Sequence, residues 1–121
     1  MSVFKERMGG HAYGLATSAA DYDAGLCVVL SGDNAVTRNT SATAVTFGIL
    51  GRDAESGRLC VVWTNGGIYD TDQFTGATIA ANDLLANDAA TGKLKKWTSG
   101  ESIVGQCISN VSGVLRFKLL V

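Results

Sequence analysis

The chain has no proline in 121 residues, which argues against disorder, since disordered chains usually contain it. It is not short of apolar residues, which make up 46 % of it, so the apolar-poor composition of a disordered chain is also excluded. Charge is scarce: 17 % of residues are charged, against about 25 % in an ordinary globular domain, so much of the surface must be uncharged. Histidine occurs once, as His11, and a nucleophile–His–acid triad would have to run through that single position. His11 lies between Gly10 and Ala12 in a segment without periodicity. Such a segment cannot hold a base within about 0.5 Å of productive geometry, so a solvated or partner-contacting role is expected instead. Cysteine is limited to Cys27, Cys60 and Cys107, an odd and widely spaced set without metal-ligand spacing. Each sits inside an apolar run (GLCVVL, RLCVVW, GQCI), which points to buried, reduced thiols in a protein made in a cytoplasm. No apolar stretch reaches membrane-spanning length. The opening MSVFKERMGG puts charges where a signal peptide carries its apolar core, so export by that route and a membrane partner are not expected.

What remains is small, glycine-rich and apolar. One domain suits this length, and its core can bury roughly two-thirds of the chain's surface without a metal or disulfide. The net charge of −1 gives no overall pull toward nucleic acid or anionic lipid. The charge is uneven, however. From Asp21 to Gly92, nine acids face three arginines; from Lys93 to Val121, five bases face one acid. A domain so polarised can meet copies of itself or an oppositely charged partner.

Residues 1–20 stand apart, with neither strand alternation nor a helical face, and read as an extended, glycine-hinged arm ordered by a partner. Residues 21–121 form the body. There, short apolar runs at 26–30, 45–50, 59–64, 67–69, 84–85, 93–97, 103–108 and 114–121 alternate with Gly, Asn, Asp and Ser turns. This pattern predicts an all-β fold, a small antiparallel β-barrel or sandwich. The only helical candidate is the alanine-rich stretch 78–87. An internal pseudo-repeat is also visible. Leu26, Cys27 and Val36 fall on Leu84, Leu85 and Leu94, each 58 positions on, and Gly48 and Gly57 fall on Gly105 and Gly113. Two such units, each unable to bury a face alone, would pack into one body.

The chemistry-bearing candidates are few. The carboxylate pairs Asp21/Asp23, Asp53/Glu55 and Asp70/Asp72 have the spacing that puts both on one face of a strand, as in a glycosidase. Each lies beside a turn, where Asp caps backbone amides, and this is the favoured role. Tyr69-Asp70-Thr71-Asp72 offers oxygens to Ca²⁺ but lacks a recognised loop signature. Asn65-Gly66-Gly67 precedes no helix that could receive a phosphate. Lys93-Leu94-Lys95-Lys96-Trp97 could stack single-stranded nucleic acid, but three lysines on an edge strand more often block open-ended pairing. The sequons at Asn39 and Asn110 carry no meaning in a protein that is not secreted. Neither catalysis nor a cofactor or metal is expected.

Four segments carry a resemblance: GLCVVLSGDNAV, FGILGRDAESGRLCVV, ATIAANDLLANDAATGKL and IVGQCISNVSGVLRFKLLV. Together they resemble the small decoration, or cement, proteins that coat the heads of tailed bacteriophages, over about four-fifths of the chain. The resemblance implies a virion protein on the outer capsid surface that binds the major capsid protein, bridges capsomers and stabilises the mature head. It implies no catalytic residues. A homotrimer is favoured, since heterologous contacts close into rings. In the arm, Phe4, Lys5, Arg7, His11 and Tyr13 are the expected partner-binding residues, with Phe4 and Tyr13 as aromatic anchors and strand addition to a capsid sheet as the docking mode. The alternative is a tail- or fibre-type module that binds glycans on exposed Trp63, Trp97 and Tyr69.

Overall fold

The computed structural model describes residues 4–76 and 78–121, and all its regular structure is β. In chain order the strands are β1 (Phe4–Met8), β2 (His11–Ser18), β3 (Cys27–Gly32), β4 (Ala35–Arg38), β5 (Gly48–Leu50), β6 (Leu59–Thr64), β7 (Ile68–Thr71), β8 (Leu84–Asn87), β9 (Leu94–Lys96), β10 (Gly105–Val111) and β11 (Val114–Leu119). Strands β2-β4-β3-β5-β6 close into a barrel, and β1-β7-β11-β10-β8-β9 form a six-stranded sheet. The β-barrel expectation is met. Between these strands the pairing is antiparallel except where β2 runs parallel to β4 to close the barrel.

The repeat seen in the sequence is a repeat of topology. Within the first half the strands pair in the order β4-β3-β5-β6 with β2 against β6; within the second, β9-β8-β10-β11 with β7 against β11. Gly48 pairs with Val28, and Gly105 with Leu85. The two glycines are there for one reason. A Cβ at Gly48 would collide with the Trp63 carbonyl oxygen on the neighbouring strand. One at Gly105 would lie 2.6 Å from the carbonyl of Lys118, the equivalent position in the second half. Val36 and Leu94, both fully buried, are also equivalent. Leu26 and Cys27 do not align with Leu84 and Leu85, because the register places Val28 opposite Leu85's role, one residue on. An uninterrupted apolar run such as Leu-Cys-Val-Val-Leu has no alternation from which to read its register. Closure is repeated as well: the parallel pair Ser18↔Val36 of the first half has its counterpart in a single parallel bridge, Phe74↔Leu94, in the second.

Two further expectations are corrected. Of the segment 1–20 expected to be an arm, residues 4–18 belong to the body. Residues 1–3 lie outside the described residues, but β1 pairs with β7 in the open sheet and β2 is a stave of the barrel. The alternation was hidden because Gly9 and Gly10 split the segment between two sheets. Stretch 78–87 is not helical either: Asn82 takes a left-handed φ of 74°, the Asp83 carboxylate caps the Ala80 amide, and 84–87 is β8.

The core has two parts. Ala16, Val28, Val36, Leu50, Cys60 and Val62 fill the first barrel. Leu85, Leu94, Cys107, Leu115, Phe117 and their neighbours fill the second unit, and Cys27 and Ile49, from the outside of the first barrel, join that cluster. Each large apolar side chain fully buried here contributes about 1.5–3 kcal/mol. All three cysteines are buried and unpaired.

Candidate functional site

At the seam between the two units stands Tyr69, fully buried. Phe4 stacks on it at 5.1 Å, Trp63 tilts against it at 5.6 Å and Phe117 at 5.9 Å. Its hydroxyl donates to the Gly66 carbonyl and accepts from the Gly10 amide, which ties the β1–β2 hinge to the β6–β7 turn. Burial raises the Tyr69 phenol above its usual range.

Beside Tyr69 in the chain, and on the opposite face of β7, Asp70 is almost wholly buried between two arginines. Arg116 Nε donates to Oδ1 at 2.7 Å and its Nη2 to Oδ2 at 3.1 Å, while Arg7 Nε donates to Oδ2 at 2.7 Å. These bonds, led by Arg116, hold the Asp70 carboxyl at about 2. Register explains the meeting: Lys5, Asp70 and Arg116 form one row across three strands, and Arg7 enters from the bulge that follows Glu6. A carboxylate so engaged is not free for Ca²⁺. Asp72 accepts a bond from Gln73. Among the described residues no group of three or more His, Cys, Asp or Glu side chains could hold a metal ion.

The five residues expected to contact a partner are divided by the structure. Lys5 and His11 are exposed, on β1 and β2. Phe4 is engaged by Tyr69 and Arg7 by Asp70, while Tyr13 packs edge-on against Phe47 and bonds Asn34. The other carboxylate pairs flank one antiparallel bridge, Tyr22↔Ala54. Asp21 accepts from the Ser56 amide and Asp53 from the Ala24 amide, which are turn-capping roles. The three rings proposed as a glycan platform do not share a surface. Tyr69 and Trp63 lie in the seam, and Trp97 is half-buried with its indole donating to the Glu101 carbonyl.

One surface that sequence reasoning missed is a cleft of about 840 Å³ beside the first barrel, lined by no charged side chain and by Tyr13, Val29, Leu30, Val45, Phe47 and Val121 among others. Val45 and Leu30 are more than half exposed on its lip. Loop 39–47 carries Val45 and is anchored to the second unit: Asn87 donates to the Asn39 and Ser41 carbonyls, and Ser102 bonds Ala42 and Thr43. No motif marks this loop, because its anchors come from residues far along the chain.

Two fused β units thus carry a cleft lined by uncharged side chains and a sheet face rich in lysine and arginine. No protein-family model matches the sequence, and no curated protein matches it. Among solved structures, the crystal structure of the N base of the head fibre protein gp8.5 of bacteriophage phi29 shares the fold. The TM-score is 0.58 at 13 % identity, covering 98 % of this chain and 94 % of that one.

Proposed function

We propose that this chain is a structural protein of a phage head surface, a decoration protein that binds the outer face of the mature capsid and stabilises it by bridging capsomers. One observation carries the reading: the fold matches, over nearly the whole length of both chains, the base of a protein named for its place on a phage head. The sparsely charged β body with its uncharged cleft supports it, since such surfaces suit contact. The major capsid protein is the partner, and copies of the chain assemble among themselves, a trimer being favoured.

Cosedimentation with expanded, undecorated heads tests this. Saturable binding at a stoichiometry locked to capsid symmetry is the expected result. Absence of binding to heads of the matching phage would overturn it. A second reading, the base of a longer head fibre, is favoured by the phi29 structure being a fibre base of nearly the same extent. It predicts a few fibres per head seen by electron microscopy, where decoration predicts full coverage.

A further inference from the structure

The outward face of β1, β7 and β11 concentrates cations. Lys5, Asp70 and Arg116 share a row, Arg7 adjoins it, and Lys118 lies two positions along β11 on the same face. Four cations therefore surround one carboxylate, in a chain whose net charge is −1. Asp70 fixes both guanidiniums in the free protein, yet Arg7 and Arg116 remain 49 % and 42 % exposed. Their remaining N–H donors face solvent with the rotamers already set, so a partner's carboxylate meets them at little further cost in side-chain entropy. Lys5 and Lys118 are exposed and, among the described residues, form no ion pair.

The complement is in the first barrel. Tyr22 and Ala54 pair and turn their side chains into its core, so Asp21, Asp23, Asp53 and Glu55, the neighbours of that bridge, point outward. Arg58 pairs with Glu55 and Arg52 adjoins Asp53 in sequence, which leaves the corner acidic by two charges.

We propose that the cationic β1–β7–β11 face docks a second copy of this chain through that copy's acidic corner around Tyr22 and Ala54. The two patches differ, so the contact is head-to-tail and repeats until a ring closes. Charge pairing of this kind sets register and speeds encounter more than it adds affinity, so the contact weakens with salt. This deepens the self-assembly part of the proposed function.

The test is sedimentation equilibrium of the full chain at low salt and at about 0.5 M salt, where screening reaches only a few ångströms. The expected result is an oligomer whose dissociation constant rises about tenfold or more with salt. Lys5→Glu/Lys118→Glu should weaken it by a similar factor, and so should Asp21→Asn/Asp23→Lys, in which Asn keeps the Ser56 cap. All four positions are exposed, and circular dichroism checks that each variant is folded. Joining both sets in one chain reverses the sign of both patches and should bring association back part of the way, tighter than with either set alone. A monomer at every salt, reversals without effect, or a combined variant that stays dissociated would each overturn the proposal. So would a Lys5→Glu/Lys118→Glu protein that keeps its solution mass but no longer binds heads, because the occupant would then be the capsid. A wild-type chain that forms the ring, shows the restoration and ignores phage heads leaves this contact standing and removes the decoration reading.

Discussion

Asp70 is the residue on which the open sheet's outer face is organised, and its role was not legible in the chain. Paired with Asp72 it looked like a turn cap or cation ligand; its real partners are 63 and 46 residues away. Asp70→Asn keeps the shape but leaves two arginines facing a neutral amide. It should cost about 2 kcal/mol, because charge-assisted bonds are lost and both arginines stay partly hydrated; a shifted urea midpoint at unchanged slope reads this. The pH dependence has a definite sign. The carboxyl sits at about 2 in the fold. In the unfolded chain an Asp titrates near about 3.9, so the unfolded state takes up protons first as pH falls. The stabilisation is present above that value and is lost toward pH 2, about 1–2 kcal/mol once the half-exposed arginines are discounted. Glu101, held at about 2 by Lys95 at 2.5 Å and by Thr98, acts in the same window with the same sign. Urea titrations at neutral and strongly acid pH should therefore differ in midpoint. The thiols behave oppositely: burial pushes Cys27 up to about 12 and raises Cys60 and Cys107. Native protein should resist alkylation at mildly alkaline pH, and all three should react after unfolding.

At the scale of elements, the equivalent glycines and the first two strands give the sharpest expectations. Gly48→Ala and Gly105→Ala each drive a methyl into a neighbouring carbonyl. Each should destabilise by about 1–3 kcal/mol, read from thermal or urea unfolding. Gly57→Ala, at a left-handed φ of 74° with open space around it, should cost less, about 1 kcal/mol. Truncation separates β1 from β2. Removing residues 1–10 takes away β1 with the Phe4–Tyr69 stack and the Arg7 bond, and should lower stability while the barrel survives. Removing residues 1–20 deletes a barrel stave and should leave a chain without cooperative unfolding. A folded 21–121 fragment with a sharp melt would contradict this structure. The free edge of β1 also bears on partners: Lys5, Glu6 and Arg7 with a bulge after Glu6 are the devices that discourage strand addition, which makes the face of the sheet the better docking surface than its edge.

For the molecule as a whole, duplication does not mean independence. Cys27 and Ile49 pack in the second unit's core, with Trp63 against it. Neither half can bury these groups alone, so the chain should melt in one transition, with tryptophan fluorescence and far-ultraviolet circular dichroism coincident. Residues 11–64 expressed alone should expose that seam and aggregate or remain unfolded. Two transitions would mean that the seam is weaker than its packing indicates.

The sequence by itself determined the all-β class, most strands of the body, the buried thiols and the duplication. Those follow from local chemistry: short apolar runs, turn-forming residues between them, and glycines at recurring offsets. Strand 59–64 was legible to the residue, because Arg58 and Asn65 bound the apolar run Leu59–Trp63 and the β-branched Thr64 that closes it. Only the tertiary structure decided the register of the repeat, the fate of residues 4–18 and the surfaces available for contact. The register of an apolar run is set by the strand beside it. An interrupted pattern such as 4–18 becomes two strands only once Gly10 can lie against Gly66 beneath Tyr69. The cationic face likewise exists only where β1, β7 and β11 align, since a charge row across a sheet has no signature along the chain.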